Sequence, residues 1–267
     1  MTTNDLKNWL NAAKEAARRG AEVLENWRGR FRVEEKGRAD LVSEADHSSQ
    51  LAIQDYLARR FPDHLFLGEE GESSKVRPKP DSPPLWIVDP LDGTTNYVHD
   101  VPMYCVSIGL MVAGELVVGV IFDPRAEEMF AAAKGLGAWL GDKRLAVSKV
   151  NTLESALLST GFSPDLRSHE FTLDWWRHFS FRVQSLRRTG STALNLAYVA
   201  CGRFDGYWAF DNHPWDVAAG FVLVREAGGA VTRTDGSPED CFAVDSIATN
   251  GLLQPLMLAE FRGGLKK

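Results

Sequence analysis

The string Trp86-Ile87-Val88-Asp89-Pro90-Leu91-Asp92-Gly93-Thr94-Thr95-Asn96 sets two carboxylates, a glycine turn and a hydroxyl directly after an apolar, strand-like run. Asp89 precedes Pro90, whose ring confines it to extended backbone, so its side chain stands at the tip of a strand over 85–88. Asp92-Gly93 then turns the chain and points the Leu91 carbonyl and the Asp92 carboxylate at the region Asp89 faces, and Thr94 or Thr95 can cap a following helix. Asp-Pro and Asp-Gly are each common in plain strand-to-helix turns. The whole string, with three oxygens converging, is a compact way to hold a hard cation beside a phosphate.

Other acids have plain explanations singly and a shared one jointly. Glu69 and Glu70 follow Phe66-Leu67-Gly68, so one of them can occupy a second strand tip beside Asp89, although a glutamate pair in a loop is usually solvated surface. Asp216 opens a helix over 215–227, where the helix dipole alone favours an acid. Asp46 closes a capping box, Ser43-x-x-Asp46. Together they suit Mg²⁺, which takes oxygen ligands, keeps several waters and is shared between carboxylates and substrate phosphate; about four or five acids suit two or three such ions. Two metals ~3.5–4 Å apart stabilise both the attacking and the leaving oxygen of an in-line displacement at phosphorus. A helix start at Gly93-Thr94 adds backbone N–H groups for the phosphate.

Positioning these groups requires a sheet with helices around it. Leu6, Trp9, Leu10, Ala13, Ala17, Val23, Leu24 and Trp27 recur at helical spacing over 4–28, and a second helix runs from Ser43 to Phe61-Pro62. A strand over 65–68 and a polar, proline-rich loop over 69–84 follow. Alternating β-branched and aromatic residues predict strands at 104–112, 116–122 and 128–133. Val101 to Phe122 is long enough to cross a bilayer, but Ala113-Gly114-Glu115 splits it into two buried strands. From residue 151 onward, strands at 157–160, 183–187 and 206–210 alternate with helices at 168–179, 191–201, 215–227 and 252–262, an α/β pattern. Gly135-Leu136-Gly137 with Gly141 reads as a hairpin rather than a dinucleotide loop. No linker divides the chain, so a single domain of two intimate lobes, 1–150 and 151–267, is expected.

Bulk properties narrow the partners. A net charge of -6 and the lack of any aromatic-interleaved basic run argue against nucleic acid. Three cysteines without close pairs suggest neither disulfides nor zinc, and a reducing cytoplasm fits. The charged N-terminus lacks a signal-peptide core. The histidines show no HExxH spacing, and Ser159 and Ser191 lie outside a G-x-S-x-G elbow. A structural Ca²⁺ site is open to the same oxygens, but would leave Thr94 and the glycine turn without a purpose. A regulatory binding protein is the rival of another class.

Three strings resemble, in order, the signatures of the inositol monophosphatase family of Mg²⁺-dependent, lithium-sensitive sugar phosphatases: Gly68-Glu69-Glu70, Trp86 to Asn96, and Trp215-Asp216-Val217-Ala218-Ala219-Gly220. Lys36-Gly37-x-x-Asp40 and Leu41-Val42-Ser43-x-x-Asp46 are similar to the mobile loop and adjoining acid of bacterial members. The resemblance implies an α+β fold, a layered αβαβα sandwich, in a homodimer that hydrolyses a small phosphorylated metabolite. It implies that Glu69, Asp89 and the Leu91 carbonyl bind one Mg²⁺, that Asp89, Asp92 and Asp216 bind another, and that a third leans on Glu69. The catalytic residues would be Glu69, Thr94 and Asp46, the last two orienting and deprotonating the attacking water. Substrate would meet Asp92, Gly93, Thr94, Gly190, Ser191, Thr192 and Asp216. Two positions depart from the pattern. Ala209 stands where inositol-selective relatives place a glutamate, and Thr192 where alanine is familiar; an unreplaced acceptor would weaken polyol binding by about 1–3 kcal/mol.

Overall fold

The amphipathic opening segment folds as α1 (Thr3–Trp27), begun by a capping box in which Thr2 accepts from the Asp5 amide and Asp5 accepts from the Thr2 amide. The computed structural model describes residues 1–30, 32–37, 40–70, 77–79, 81–163, 166–167 and 169–265, with 33–37 and 40–43 as backbone alone. After α1 come a hairpin of β1 (Val33–Gly37) and β2 (Asp40–Ser43), then α2 (Glu44–Arg60) and β3 (Leu65–Gly68). Next are β4 (Leu85–Asp92), the short α3 (Thr94–Val98), β5 (Cys105–Val112), β6 (Glu115–Asp123), β7 (Glu128–Ala133), β8 (Gly137–Leu140) and β9 (Lys143–Arg144). The C-terminal part runs β10 (Leu157–Thr160), α4 (Phe171–Ser180), β11 (Ser185–Arg187), α5 (Thr192–Ala200) and β12 (Gly206–Ala209). It ends with α6 (Pro214–Glu226), β13 (Ala230–Thr232), β14 (Ser246–Thr249) and α7 (Gln254–Gly263).

The strands form a seven-stranded sheet in sequential order from β3 to β9 and a five-stranded sheet ordered β11-β10-β12-β14-β13. β3 lies parallel to β4, and the rest of the large sheet is an antiparallel meander. All eight residues of β4 are buried, as a strand covered on both faces requires. Its alternation sorts the layers. Trp86 and Val88 pack with Leu10, Ala13 and Leu24 of α1, whereas Leu85 and Ile87 pack with α5 and α6. The small sheet repeats the arrangement: Tyr207 and Ala209 face α5 and α6, while Trp208 joins Trp175, Phe179 and Met257 of α4 and α7. The order is therefore helix, sheet, helix, sheet, helix, the expected αβαβα sandwich. Each fully buried leucine in these layers contributes about 1.5–3 kcal/mol relative to exposure.

Several expectations shift in detail. The 101–122 segment is β5 and β6 joined at a tight turn, and no described helix is long and apolar enough to cross a membrane. β13, β14 and the β1–β2 hairpin were not foreseen; they are three to five residues long, and short strands leave little alternation to read. The 168–179 helix begins later, at Phe171. The side chains of Lys36, Asp40 and Ser43, and residues 38–39 of the expected mobile loop, lie outside the described residues.

Candidate active site

Asp89 and Asp92 are three residues apart, an odd spacing that would put them on opposite faces of a regular strand. The register resolves this: Asp89 pairs with Ser107 and Asp92 with Cys105, so β4 carries one extra residue between them. Ser107 and Cys105 share a face, and directly opposed residues point the same way, so the bulge turns both carboxylates to that face. Pro90 sits within the bulge, where a missing N–H is tolerated. Asp89 Oδ1 accepts the Leu91 amide at 3.0 Å.

Gly93 follows at φ 98°, and a Cβ there would stand 2.8 Å from the Met103 carbonyl, so conformation and space both demand glycine. Gly93 itself, rather than a threonine, is the N-cap of α3. Thr94 is released for another use: its hydroxyl donates toward Asp46 Oδ1 at 3.2 Å and the Leu91 carbonyl at 3.1 Å. Asp46, buried in the first turn of α2, is thereby joined to the β4–α3 turn.

Asp216 is brought over this face by two glycines. Gly109 of β5 and Gly119 of β6 face each other across the ladder, and Cβ atoms on them would meet Ala218 Cβ at 2.7 Å and the Ala219 carbonyl at 2.3 Å. Their bare backbone lets α6 lie directly on the sheet, with Ser107 donating to the Trp215 carbonyl at 3.3 Å. Asp216 then stands at the N-terminal end of α6, where its Oδ2 accepts the His213 amide at 2.7 Å.

Asp92 joins the sheet to α5. Its carboxylate accepts from Ser191 Oγ at 2.5 Å, the Thr192 amide at 3.1 Å and the Ala193 amide at 2.7 Å, with Cys105 Sγ at 3.7 Å. An acid at a helix N-terminus is favoured by the exposed amides and the dipole. A carboxylate offers about four lone-pair directions; Ser191, Ala193 and Cys105 all address Oδ2, whereas Oδ1 takes only the Thr192 amide and keeps a direction for a cation. Ser191, expected to meet substrate, is the N-cap of α5, accepting from the Leu194 amide. Gly190, at φ 88°, packs against Asn96, whose amide donates to the Met103 and Thr189 carbonyls. The Thr192 hydroxyl is 3.2 Å from the Tyr207 hydroxyl, and the two surround Gly161 with Ala209. Ala209 therefore shares the space beside Gly161 with two hydroxyl groups.

The electrostatics bind these segments into one site. Burial raises the Asp89 carboxyl well above the ordinary range, and the charges of Glu69, Asp92 and Asp216 push it further. Asp216 is raised well above its usual value by burial first, then by Glu69, Asp92 and Asp211. Burial also raises Asp92, against the pull of its donors Ser191, Ala193, Thr192 and Cys105. Glu69, rather than Glu70, is the glutamate whose charge reaches Asp89. The charges acting most strongly on Asp89 are thus negative, a set that a divalent cation neutralises. Among the described residues no three His, Cys, Asp or Glu side chains stand close enough together to hold a metal ion by themselves. The acids converge as charges, and Mg²⁺ asks for only one or two carboxylates beside carbonyl, water and phosphate oxygens.

Sequence reasoning missed Ser49, Gln50, Asn96, Cys105 and the Gly109–Gly119 pair. Only the glycines left a signal, since a glycine inside a strand pattern marks close backbone approach.

The inositol monophosphatase family model matches residues 5–265. Inositol-1-monophosphatase of Synechocystis sp. is 44% identical over 252 residues, 93% of this chain and 86% of that protein. The solved extragenic suppressor protein suhB of Bartonella henselae superposes with a TM-score of 0.89 at 38% identity, covering 96% of this chain and 99% of that one. An IMPase/NADP phosphatase complexed with Mg²⁺ and phosphate gives a TM-score of 0.79 at 25% identity, covering 90% and 89%. Fold and similarity define a phosphoric monoester hydrolase. The chain belongs to the inositol monophosphatase family.

Proposed function

We propose that the chain is a Mg²⁺-dependent phosphomonoesterase acting on inositol monophosphate or a similar small polyol phosphate. The observation that carries this reading is the acidic convergence on Asp89, in which Glu69 after β3, Asp92 on β4 and Asp216 on α6 all act on one buried carboxyl. Glu69, Asp89 and the Leu91 carbonyl would hold one ion, Asp89, Asp92 and Asp216 a second, and a third would lean on Glu69. Bound Mg²⁺ supplies positive charge to the phosphoryl oxygens and acidifies water.

The chain's own residues do the rest. The Thr94 hydroxyl, donating to Asp46, keeps its lone pairs for the proton of the attacking water, with Asp46 behind it as acceptor. The Gly93 and Thr94 amides, at the start of α3, would meet the phosphate. Asp92 and Asp216, locked by Ser191 and His213, hold the side from which the alcohol departs. The central core draws residues from both halves of the chain, which supports a single domain of two lobes. We place it in the cytoplasm on its three unpaired cysteines, and as a homodimer on family likeness.

Phosphate release from inositol 1-phosphate, histidinol phosphate, fructose 1,6-bisphosphate and 3′-phosphoadenosine 5′-phosphate, compared by kcat/KM with Mg²⁺, tests the reading. Turnover that Asp89→Asn abolishes supports the phosphatase chemistry, and the highest kcat/KM on inositol 1-phosphate supports the polyol substrate, whereas a preference for one of the other three assigns the corresponding rival. Negligible turnover of all four, or full activity in Asp89→Asn at saturating Mg²⁺, refutes the reading. The hydroxyls around Ala209 favour a substrate other than inositol 1-phosphate as the second reading, and the same panel decides between them.

A further inference from the structure

Asp46, Ser49 and Gln50 lie on one face of α2, at i, i+3 and i+4. Each reaches a different segment of the site. Asp46 accepts from Thr94 of the β4–α3 turn at 3.2 Å. Ser49, fully buried, donates to the Pro90 carbonyl in the β4 bulge at 3.0 Å. Gln50 holds the backbone beyond β3 through both ends of its amide: Nε2 donates to the Glu70 carbonyl at 2.6 Å, and Oε1 accepts the Glu70 amide at 2.9 Å.

The last pair behaves as a strand partner made from a side chain. β3 ends at Gly68, and the Glu69 amide still bonds the Val88 carbonyl of β4 at 3.1 Å. One residue further on, the ladder is replaced by Gln50. The backbone of Glu69 is therefore pinned on both sides, by β4 before it and by α2 after it. Gly68 makes room for the arrangement, since a Cβ there would fall 2.1 Å from Gln50 Oε1. α2 is itself seated on α1 at Gly20, where a Cβ would stand 2.9 Å from Ser49 Oγ and 2.7 Å from Ile53 Cδ1.

We propose that Gln50 is a positioning residue that aims the Glu69 carboxylate into the acidic cluster, with α2 acting as the jig that sets three site segments in register. The inference rests on the phosphatase reading of that cluster. Gln50 touches neither substrate nor reacting atoms; it fixes a group that must stand within about 0.5 Å of its productive place. Loss of the clamp leaves the fold and slackens the carboxylate.

The test compares wild type with Gln50→Met, which has the same length and cannot pair with a peptide, and with Gln50→Glu, which keeps the acceptor for the Glu70 amide and loses the donor. Mg²⁺ titration by calorimetry, kcat and KM, and melting of Mg²⁺-free protein are measured on each. Gln50→Met should weaken Mg²⁺ affinity and lower kcat by about 10–100-fold, as loss of a ligand-orienting partner does, with KM for the phosphate substrate changed less than about threefold. Gln50→Glu should fall between. Wild-type Mg²⁺ affinity and kcat in a folded Gln50→Met overturn the inference. Should Gln50→Met not fold, wild-type values in Gln50→Glu overturn it equally. A wild-type chain that itself binds no Mg²⁺ overturns the reading of the site, an outcome distinct from a clamp that fails alone.

Discussion

Gly119→Ala puts the seating of α6 to a direct trial. The added methyl would lie 2.3 Å from the Ala219 carbonyl oxygen, with the backbone of Ala219 behind it at 3.0 Å. That is more than about 1 Å inside van der Waals contact, and both partners are backbone, so no side chain can rotate away. The strain is relieved only by lifting α6 from the sheet. Overpacking of this kind costs about 1–3 kcal/mol, which for a chain of this size lowers Tm by roughly 2–4 °C per kcal/mol. The functional cost is larger, because α6 carries Asp216: a displacement on the order of 1 Å costs about 10²-fold in turnover. Gly109→Ala meets Ala218 Cβ at 2.7 Å, with the Ala218 and Ala219 backbone at 3.3 Å rather than 2.3 Å, and should be milder. Gly263→Ala, with nothing within 4 Å, should stay within about 0.5 kcal/mol of wild type. Thermal melting and Mg²⁺-dependent phosphate release on the three variants read out both effects. Wild-type Tm and turnover in Gly119→Ala would refute the argument that this glycine pair sets the height of Asp216.

Ser191→Ala removes the α5 N-cap and a short, charge-assisted bond to Asp92, so urea unfolding should show a loss of about 2–3 kcal/mol, and a loss under about 0.5 kcal/mol would contradict the role assigned to this junction. The raised carboxyls give a pH signature of defined sign: a group whose folded value lies above its unfolded one contributes stability that is complete at low pH and is lost as pH rises through the folded value. Mg²⁺-free protein is therefore penalised at the site as pH rises, and the gain in Tm on adding Mg²⁺ should grow between about pH 5 and about pH 8; a gain that shrinks over that range speaks against these acids as the ligands.

The layered fold was legible where long periodic segments specify it. The predicted strands at 104–112, 116–122 and 128–133 emerge as Cys105–Val112, Glu115–Asp123 and Glu128–Ala133, because alternation over six to nine residues leaves one pattern only. Asp89 and Asp92 stand out through Asp-Pro and Asp-Gly, whose turn chemistry is local, whereas a strand tip points to Glu69 or Glu70 without choosing and a helix start alone accounts for Asp216. What escaped is what depends on distant partners. The bulge between Asp89 and Asp92 is defined by register against β5, and Pro90 reads locally as a strand end. Local spacing reads Thr94 as a cap; its pairing with Asp46, 48 residues away, is expected only through the family resemblance. Gln50 and Ser49 sit among ordinary polar helix residues, and their partners lie 20 and 41 residues away.

The central claim is that carboxylates from separate segments meet to hold divalent cations against a phosphoryl group. An anomalous difference map from crystals soaked in Mn²⁺ and phosphate tests it most directly. The account predicts manganese peaks among Glu69, Asp89, Asp92 and Asp216, beside the phosphate at Gly93 and Thr94. Manganese bound elsewhere, with no peak among those four carboxylates, would contradict it.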